Sequence, residues 1–153
     1  MQELNLPSYD CRLKKDGGHV RIFDLIRKKY VALTPEEWVR QHFINFLISE
    51  KNVPASLMIL EKKITMNTMS RRPDIVLHDK NGKPVMIVEC KAPEVKISQD
   101  TFDQIARYNS VIKALYLVVT NGLKHYCCKM DHSNNSYQFL EDIPDYLDMS
   151  LDS

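Results

Sequence analysis

The segment Val85-Met86-Ile87-Val88 constrains the fold most, because the side chains on both of its alternating faces are apolar. Such a strand must be covered on each side, which predicts a central strand between two layers of helix rather than a strand with one wet face. Glu89-Cys90-Lys91 follows directly and places charges at the end of the buried strand. Fold and chemistry are therefore predicted from the same short stretch.

Two helices are indicated by their start signals. Thr34-Pro35-Glu36-Glu37 supplies a capping threonine, a proline at the first helical position and an acid three residues after the cap, and predicts a helix to about Ser49. Ser98 predicts the start of a second helix, over residues 99–113.

Apolar runs separated by turn residues predict the strands. A three-strand meander is expected first, and the second helix then leads to two more strands, over residues 57–66, 75–78, 85–90, 114–119 and 124–130. The fold class is α/β, with a mixed central sheet flanked by helices. The crossover helix predicts one parallel pair in that sheet.

Composition and periodicity suggest how the chain is organised. Residues 1–19 have little periodicity and are predicted to form an N-terminal arm, residues 20–130 the folded domain, and residues 131–153 an acidic C-terminal tail. The net charge is only +1, so any contact with DNA must be local. The four cysteines lack CxxC spacing, and no apolar run could span a membrane. Free thiols and a cytoplasmic location are expected.

Three charged residues are predicted to form a reactive site. Strand alternation puts Glu89 and Lys91 on one face, and antiparallel pairing brings Asp74, at the start of the preceding strand, close to them. Two carboxylates suit Mg²⁺, with Mn²⁺ as a substitute, and an ammonium can stabilise charge on a phosphate. These residues predict a phosphodiester hydrolase. A buried salt bridge between Glu89 and Lys91 is the alternative.

Arg71-Arg72-Pro73-Asp74, followed after fourteen residues by Glu89-Cys90-Lys91-Ala92-Pro93, resembles the core pattern of the PD-(D/E)XK nuclease superfamily. Residues 26–30, 33–41 and 120–122 are similar to the N-terminal nuclease domain of type I restriction enzyme R subunits. The resemblance covers about residues 20–130. It implies a restriction-endonuclease-like αβββαβ core and a magnesium-dependent DNA endonuclease.

The resemblance also implies roles for further residues. Gln104 and Tyr108 match a Q-x3-Y helix motif that contacts the phosphate or orients the site, although a packed helix face is the alternative. Glu37 matches an acidic position that supplements metal binding, with Glu36 as its substitute. Arg71 and Arg72 are candidates for DNA-backbone contacts. Lys62 and Lys63 are better explained as a solvated face.

Competing functions remain open at this point. The chain could keep the nuclease fold as a catalytically silent nucleic-acid-binding or subunit-docking module, or it could act on RNA or branched DNA. None of its four glycines lies in a GxxxxGK[ST] loop, so no ATP site is expected. DNA, other restriction-modification subunits and a second copy in a homodimer are the partners expected.

Overall fold

The doubly apolar segment forms a strand, Pro84–Cys90, in a computed structural model that describes residues 1–66 and 69–151. For residues 64–66, 69–71, 108, 150 and 151 the description covers the backbone alone. Met86, Ile87 and Val88 have no exposed surface. Full burial of such a side chain stabilises the fold by about 1.5–3 kcal/mol, which favours a central position for this strand.

The strands form three sheets. In chain order they are β1 (Leu13–Asp16), β2 (His19–Phe23), β3 (Tyr30–Ala32), β4 (Met58–Leu60), β5 (Ile64–Met66), β6 (Met69–Arg71), β7 (Ile75–His78), β8 (Pro84–Cys90), β9 (Tyr116–Thr120), β10 (His125–Asp131) and β11 (Ser136–Leu140). The main sheet has the order β11-β10-β9-β8-β7-β4, and only β8 and β9 are parallel within it. The predicted mixed sheet with one parallel pair is confirmed.

Two helices cover opposite faces of this sheet, as predicted. Helix α1 (Pro35–Glu50) packs Val39 and Phe43 against Val88 in what we call the α1-side core. Helix α2 (Gln99–Ile112) packs Phe102 against Ile87 in the α2-side core. Both predicted caps form: the Thr34 hydroxyl accepts a hydrogen bond from the Glu37 amide at 3.0 Å, and the Ser98 hydroxyl accepts one from the Thr101 amide at 3.3 Å.

The predicted strand over residues 57–66 is interrupted. A 3-10 turn, Ala55–Leu57, leads into β4, and the chain then leaves the main sheet, where β5 and β6 form a separate antiparallel pair. Glu61 follows β4 with a φ of +52°, a left-handed conformation that ends the strand. The apolar composition of this segment gave no indication of the turn.

The N-terminal residues are more ordered than an arm. Strands β1, β2 and β3 form an antiparallel sheet that crosses the expected boundary at residue 19. Gln2 accepts a hydrogen bond from the Trp38 indole at 2.7 Å, and the Asn5 amide donates to Gly122 at 2.8 Å. Leu4 packs against the α1-side core. These contacts attach the N-terminus to the main fold.

The acidic C-terminal segment also contributes structure. Strand β11 pairs with β10, and a short helix, α3 (Tyr146–Leu151), follows. Ile143, Tyr146 and Met149 enter the α1-side core. The acidic residues had obscured the three-residue spacing of these apolar side chains.

The cysteines are arranged as the sequence predicts. All four cysteines are free, and Cys127 and Cys128 point into opposite cores as strand alternation predicts. Within the described residues, no helix is long and apolar enough to cross a membrane.

Candidate functional site

Asp74 lies beside the charged end of β8. It immediately precedes β7, and the register that pairs Ile75 with Val88 brings the start of β7 next to the end of β8. One oxygen of its carboxylate, Oδ2, accepts a hydrogen bond from the backbone amide of Cys90 at 2.7 Å. Cys90 is the residue between Glu89 and Lys91, so the structure brings Asp74 to the predicted Glu-Cys-Lys segment.

Glu89 and Lys91 flank a side chain that points away from them. The Cys90 thiol is buried in the α1-side core, whereas Ile87 belongs to the α2-side core. Alternation therefore places Glu89 on the same side as Ile87. Both Glu89 and Lys91 are half-buried, and the Lys91 amide donates to the Thr120 carbonyl at 2.8 Å. The convergence of Asp74 and Glu89 on one ion stays a prediction, as does the alternative salt bridge.

A narrow cleft opens on the α1 side of Asp74. We call it the Asp74 cleft; it has a volume of about 190 Å³ and is lined by Thr34, Glu36, Glu37, Arg40, Glu61 and Asp74. The N-terminal part of α1 forms one wall, and the end of β4 and the start of β7 form the other. Four carboxylates thus surround one guanidinium group.

Arg40 is the cation within this cleft, and its side chain is almost fully buried. Its guanidinium forms a two-pronged salt bridge with Glu37, in which Nη2 bonds Oε1 and Nε donates to Oε2 at 2.9 Å. The remaining nitrogen, Nη1, lies 3.4 Å from Glu61 Oε1 and 3.7 Å from Asp74 Oδ1. Arg40 therefore holds Glu37 closely and Asp74 loosely.

Glu37 is the predicted metal-supplementing residue, and its carboxylate already has partners. Besides Arg40, Gln41 donates a hydrogen bond from Nε2 to Glu37 Oε2 at 3.0 Å. The backbone amide of Glu37 donates to the Thr34 hydroxyl and so forms the predicted cap. The Glu37 carboxylate bonds Arg40 on the same helix rather than Thr34. Glu36, the substitute, is exposed and lines the same cleft. Of the two acids, Glu36 is the more accessible to an ion.

Burial raises the pKa of Asp74 from 3.8 to about 6. The hydrogen bond from the Cys90 amide and the charge of Arg40 oppose this shift, while the nearby carboxylates of Glu36 and Glu61 reinforce it. Arg40 therefore offsets only part of the effect of burial on this carboxyl.

Glu61 is a cleft residue that sequence reasoning missed. Its amide donates to the Asp74 carbonyl at 3.1 Å, and its Oε2 accepts from Arg27 Nη1 at 3.1 Å. Arg27 is held in turn by the fully buried Asp24, through a bond of 2.7 Å from Nε to Oδ2. The signal in the sequence was the charge directly after the apolar run of β4, which parallels Glu89 directly after the apolar run over residues 85–88.

The remaining residues that the sequence predicted for the site either lie outside the Asp74 cleft or have side chains that the structure does not describe. Gln104 is exposed on α2, and Arg72 is exposed two residues before Asp74. The side chains of Tyr108 and Arg71 lie outside the described residues, so their roles stay predictions. Lys63 is exposed, in line with a solvated face, whereas Lys62 is half-buried and its Nζ lies 3.1 Å from His78 Nε2.

The donor set decides which ion the site suits. In the part of the chain that is described, no group of three or more His, Cys, Asp or Glu side chains is arranged to hold a metal. Mg²⁺ needs fewer protein ligands, because it takes one or two carboxylates and keeps several waters. Asp74 and Glu89, at the adjacent ends of β7 and β8, are the two carboxylates that the sequence predicts for such an ion, and this assignment stays a prediction, whereas a site built for Zn²⁺ would need a fuller shell.

Comparison with known proteins agrees with this architecture. No curated protein matches the sequence. A fragment of an HsdR subunit of a type I restriction enzyme from Vibrio vulnificus YJ016 has a similar structure, with a TM-score of 0.54 and 18% identity. The match covers 78% of this chain and 26% of that chain, so this chain spans about a quarter of its relative. At that identity, the likeness shows the fold.

The family model described as the type I restriction enzyme R protein N terminus (HSDR_N) matches residues 35–144, which include α1, Asp74 and the end of β8. The chain belongs to the type I restriction enzyme R protein N-terminal family.

Proposed function

We propose that this chain is a magnesium-dependent DNA endonuclease domain of the PD-(D/E)XK type, which hydrolyses phosphodiester bonds. One observation carries the proposal: Asp74 Oδ2 accepts a hydrogen bond of 2.7 Å from the backbone amide of Cys90, the residue between Glu89 and Lys91. A buried carboxylate, a second acid and a lysine at adjacent strand ends form the donor set that such chemistry uses. Membership of the family supports the same conclusion.

The chain's own residues have separate tasks in this proposal. Asp74 and Glu89 would hold the ion, with Glu36 or Glu37 in support. The chemistry that Mg²⁺ (or Mn²⁺) would supply when bound is polarisation of the phosphate and a lower pKa for a water molecule. Lys91 stabilises the negative charge that develops on the phosphate oxygens. Gln104 and Tyr108 orient the scissile phosphate, and Arg71 and Arg72 contact the DNA backbone.

The proposal extends to partners. The chain spans 26% of its structural relative, so ATP-driven translocation and target recognition would come from other restriction-modification subunits or other domains. Cutting both strands of a duplex would bring two copies of the site together, as in a homodimer.

A plasmid cleavage assay tests the activity. The purified chain is incubated with supercoiled plasmid and with short single- and double-stranded DNA, in Mg²⁺, Mn²⁺ or EDTA. Cleavage should require metal, should be lost in Asp74→Ala, and should fall by roughly 10²–10³ in Lys91→Ala, since Lys91 acts on charge in the transition state. Lys80→Ala, on the exposed β7–β8 turn, is the matched control. Cleavage that persists in Asp74→Ala would refute the assignment.

A second function has support from the same cleft. Arg40 lies 3.7 Å from Asp74 Oδ1, and a guanidinium at this position could serve in place of an ion in a catalytically silent nucleic-acid-binding or docking module. That function predicts DNA binding without cleavage. It also predicts that titration calorimetry detects no heat of Mg²⁺ binding. The nuclease proposal predicts that this heat is detected.

A further inference from the structure

The geometry of the Asp74 cleft points to Glu61 as a positioning residue: we propose that Glu61 draws Arg40 away from Asp74 and so keeps Asp74 Oδ1 open to a divalent cation. The inference rests on the proposed function, because it concerns the same metal site. It assigns a task to a residue that has none in the proposed chemistry, and it links the N-terminal sheet to the site.

The distances around Arg40 Nη1 carry the argument. This nitrogen lies between two carboxylates, 3.4 Å from Glu61 Oε1 and 3.7 Å from Asp74 Oδ1. The other guanidinium nitrogens are fixed on Glu37, so the group can pivot but cannot leave. A small shift of this nitrogen toward Asp74 would shorten the existing 3.7 Å ion pair and occupy Oδ1 more fully. Glu61 competes for that nitrogen and limits the approach.

Glu61 is itself held in place from two directions. Its backbone amide bonds the Asp74 carbonyl, which fixes the two residues side by side. Its second oxygen, Oε2, is bonded by Arg27, which the buried Asp24 anchors in the loop before β3. The result is a chain of alternating charge from Asp24 through Arg27 and Glu61 to Arg40.

Mn²⁺ binding to this chain, measured by calorimetry without DNA, tests the inference. Glu61→Gln keeps the size of the side chain but removes its charge, so Arg40 should close on Asp74 and Mn²⁺ affinity should fall by roughly fivefold, the scale of a partly exposed ion pair. Arg27→Met should give a smaller loss in the same direction. Glu50→Gln, at the far end of α1, should leave the affinity unchanged.

A double-mutant cycle separates positioning from direct binding. Glu37→Gln/Arg40→Met removes both partners of the buried pair, so neither charge is left alone. In that background Glu61→Gln should change Mn²⁺ affinity by less than about twofold, because Arg40 is no longer there to divert. An equal loss in both backgrounds would show that Glu61 acts on the ion directly, and would overturn the inference. No loss in the native background would also overturn it. Failure of the native chain to bind Mn²⁺ would instead refute the proposed metal site itself, and the inference with it.

Discussion

Two of the concave regions in the described part of the chain differ in size and in charge, and the smaller of these two contains the candidate site. The Asp74 cleft measures about 190 Å³, whereas a pocket between α2 and the β10–β11 hairpin measures about 570 Å³. We call the latter the α2 pocket; its lining includes Asp103, Arg107, His132 and Tyr137. Size alone would favour the α2 pocket.

The two regions differ in how deeply their charged side chains are buried. In the Asp74 cleft, Arg40 and Glu37 are buried, and burial shifts the pKa of Asp74. In the α2 pocket, Asp103 and Arg107 are exposed, and Tyr137 donates a hydrogen bond to Asp103 at 3.2 Å. Charges kept in a buried site despite their desolvation cost are the better indication of function.

The largest effect on stability should come from Arg40→Met. This change leaves Glu37 buried with only Gln41 as a partner and removes the cation beside Asp74, so it should lower the free energy of unfolding by about 3–5 kcal/mol. Arg107→Met, in the exposed α2 pocket, should change it by less than about 0.5 kcal/mol. Urea denaturation of both variants measures the contrast, and equal losses would remove the distinction between the two regions.

Asp74→Asn should have a pH-dependent effect of intermediate size. The pKa of Asp74 is raised to about 6 from 3.8, so the folded state binds more protons than the unfolded state between those values. Stability contributed by this group is therefore present below about pH 4 and is lost as the pH rises through about 6.

Asparagine cannot ionise, yet it can still accept the Cys90 hydrogen bond. In EDTA, the free energy of unfolding of Asp74→Asn should rise by about 2 kcal/mol relative to that of the native chain as the pH is raised from 4 to 7. A difference between the two proteins that does not vary with pH would contradict the burial argument.

Tyr137→Phe should have the smallest effect. It removes hydrogen bonds with Gln99 and Asp103, but these partners are exposed and can bond water instead. The cost should be below about 1 kcal/mol, and DNA cleavage should be unchanged. Lost cleavage in a well-folded Tyr137→Phe variant would indicate that the α2 pocket also contributes to activity.

Local patterns predicted those elements whose own residues specify them. The apolar run of β8 fixed its central position, and Thr34 fixed the start of α1. Asp74 was found because its pairing with the end of β8 follows from one short turn. Strand β1 was missed, because its four residues are all exposed and show no alternation.

The remaining parts of the site depend on contacts between segments distant in the chain. Arg40 lies one turn into α1 and looked like an ordinary helical residue, yet it meets Glu61 and Asp74 from two other elements. Arg27 reaches the same network from the loop before β3. A pattern within one segment cannot indicate an ion network that four segments share.

Cleavage of supercoiled plasmid by Asp74→Asn and by Arg107→Met, each beside the native chain in Mg²⁺ and in EDTA, tests most directly whether the smaller region is the active one. We expect the native chain and Arg107→Met to cleave in Mg²⁺ alone, and Asp74→Asn to be folded but inactive. Equal cleavage by Asp74→Asn and the native chain, or loss of cleavage in Arg107→Met alone, would contradict the account.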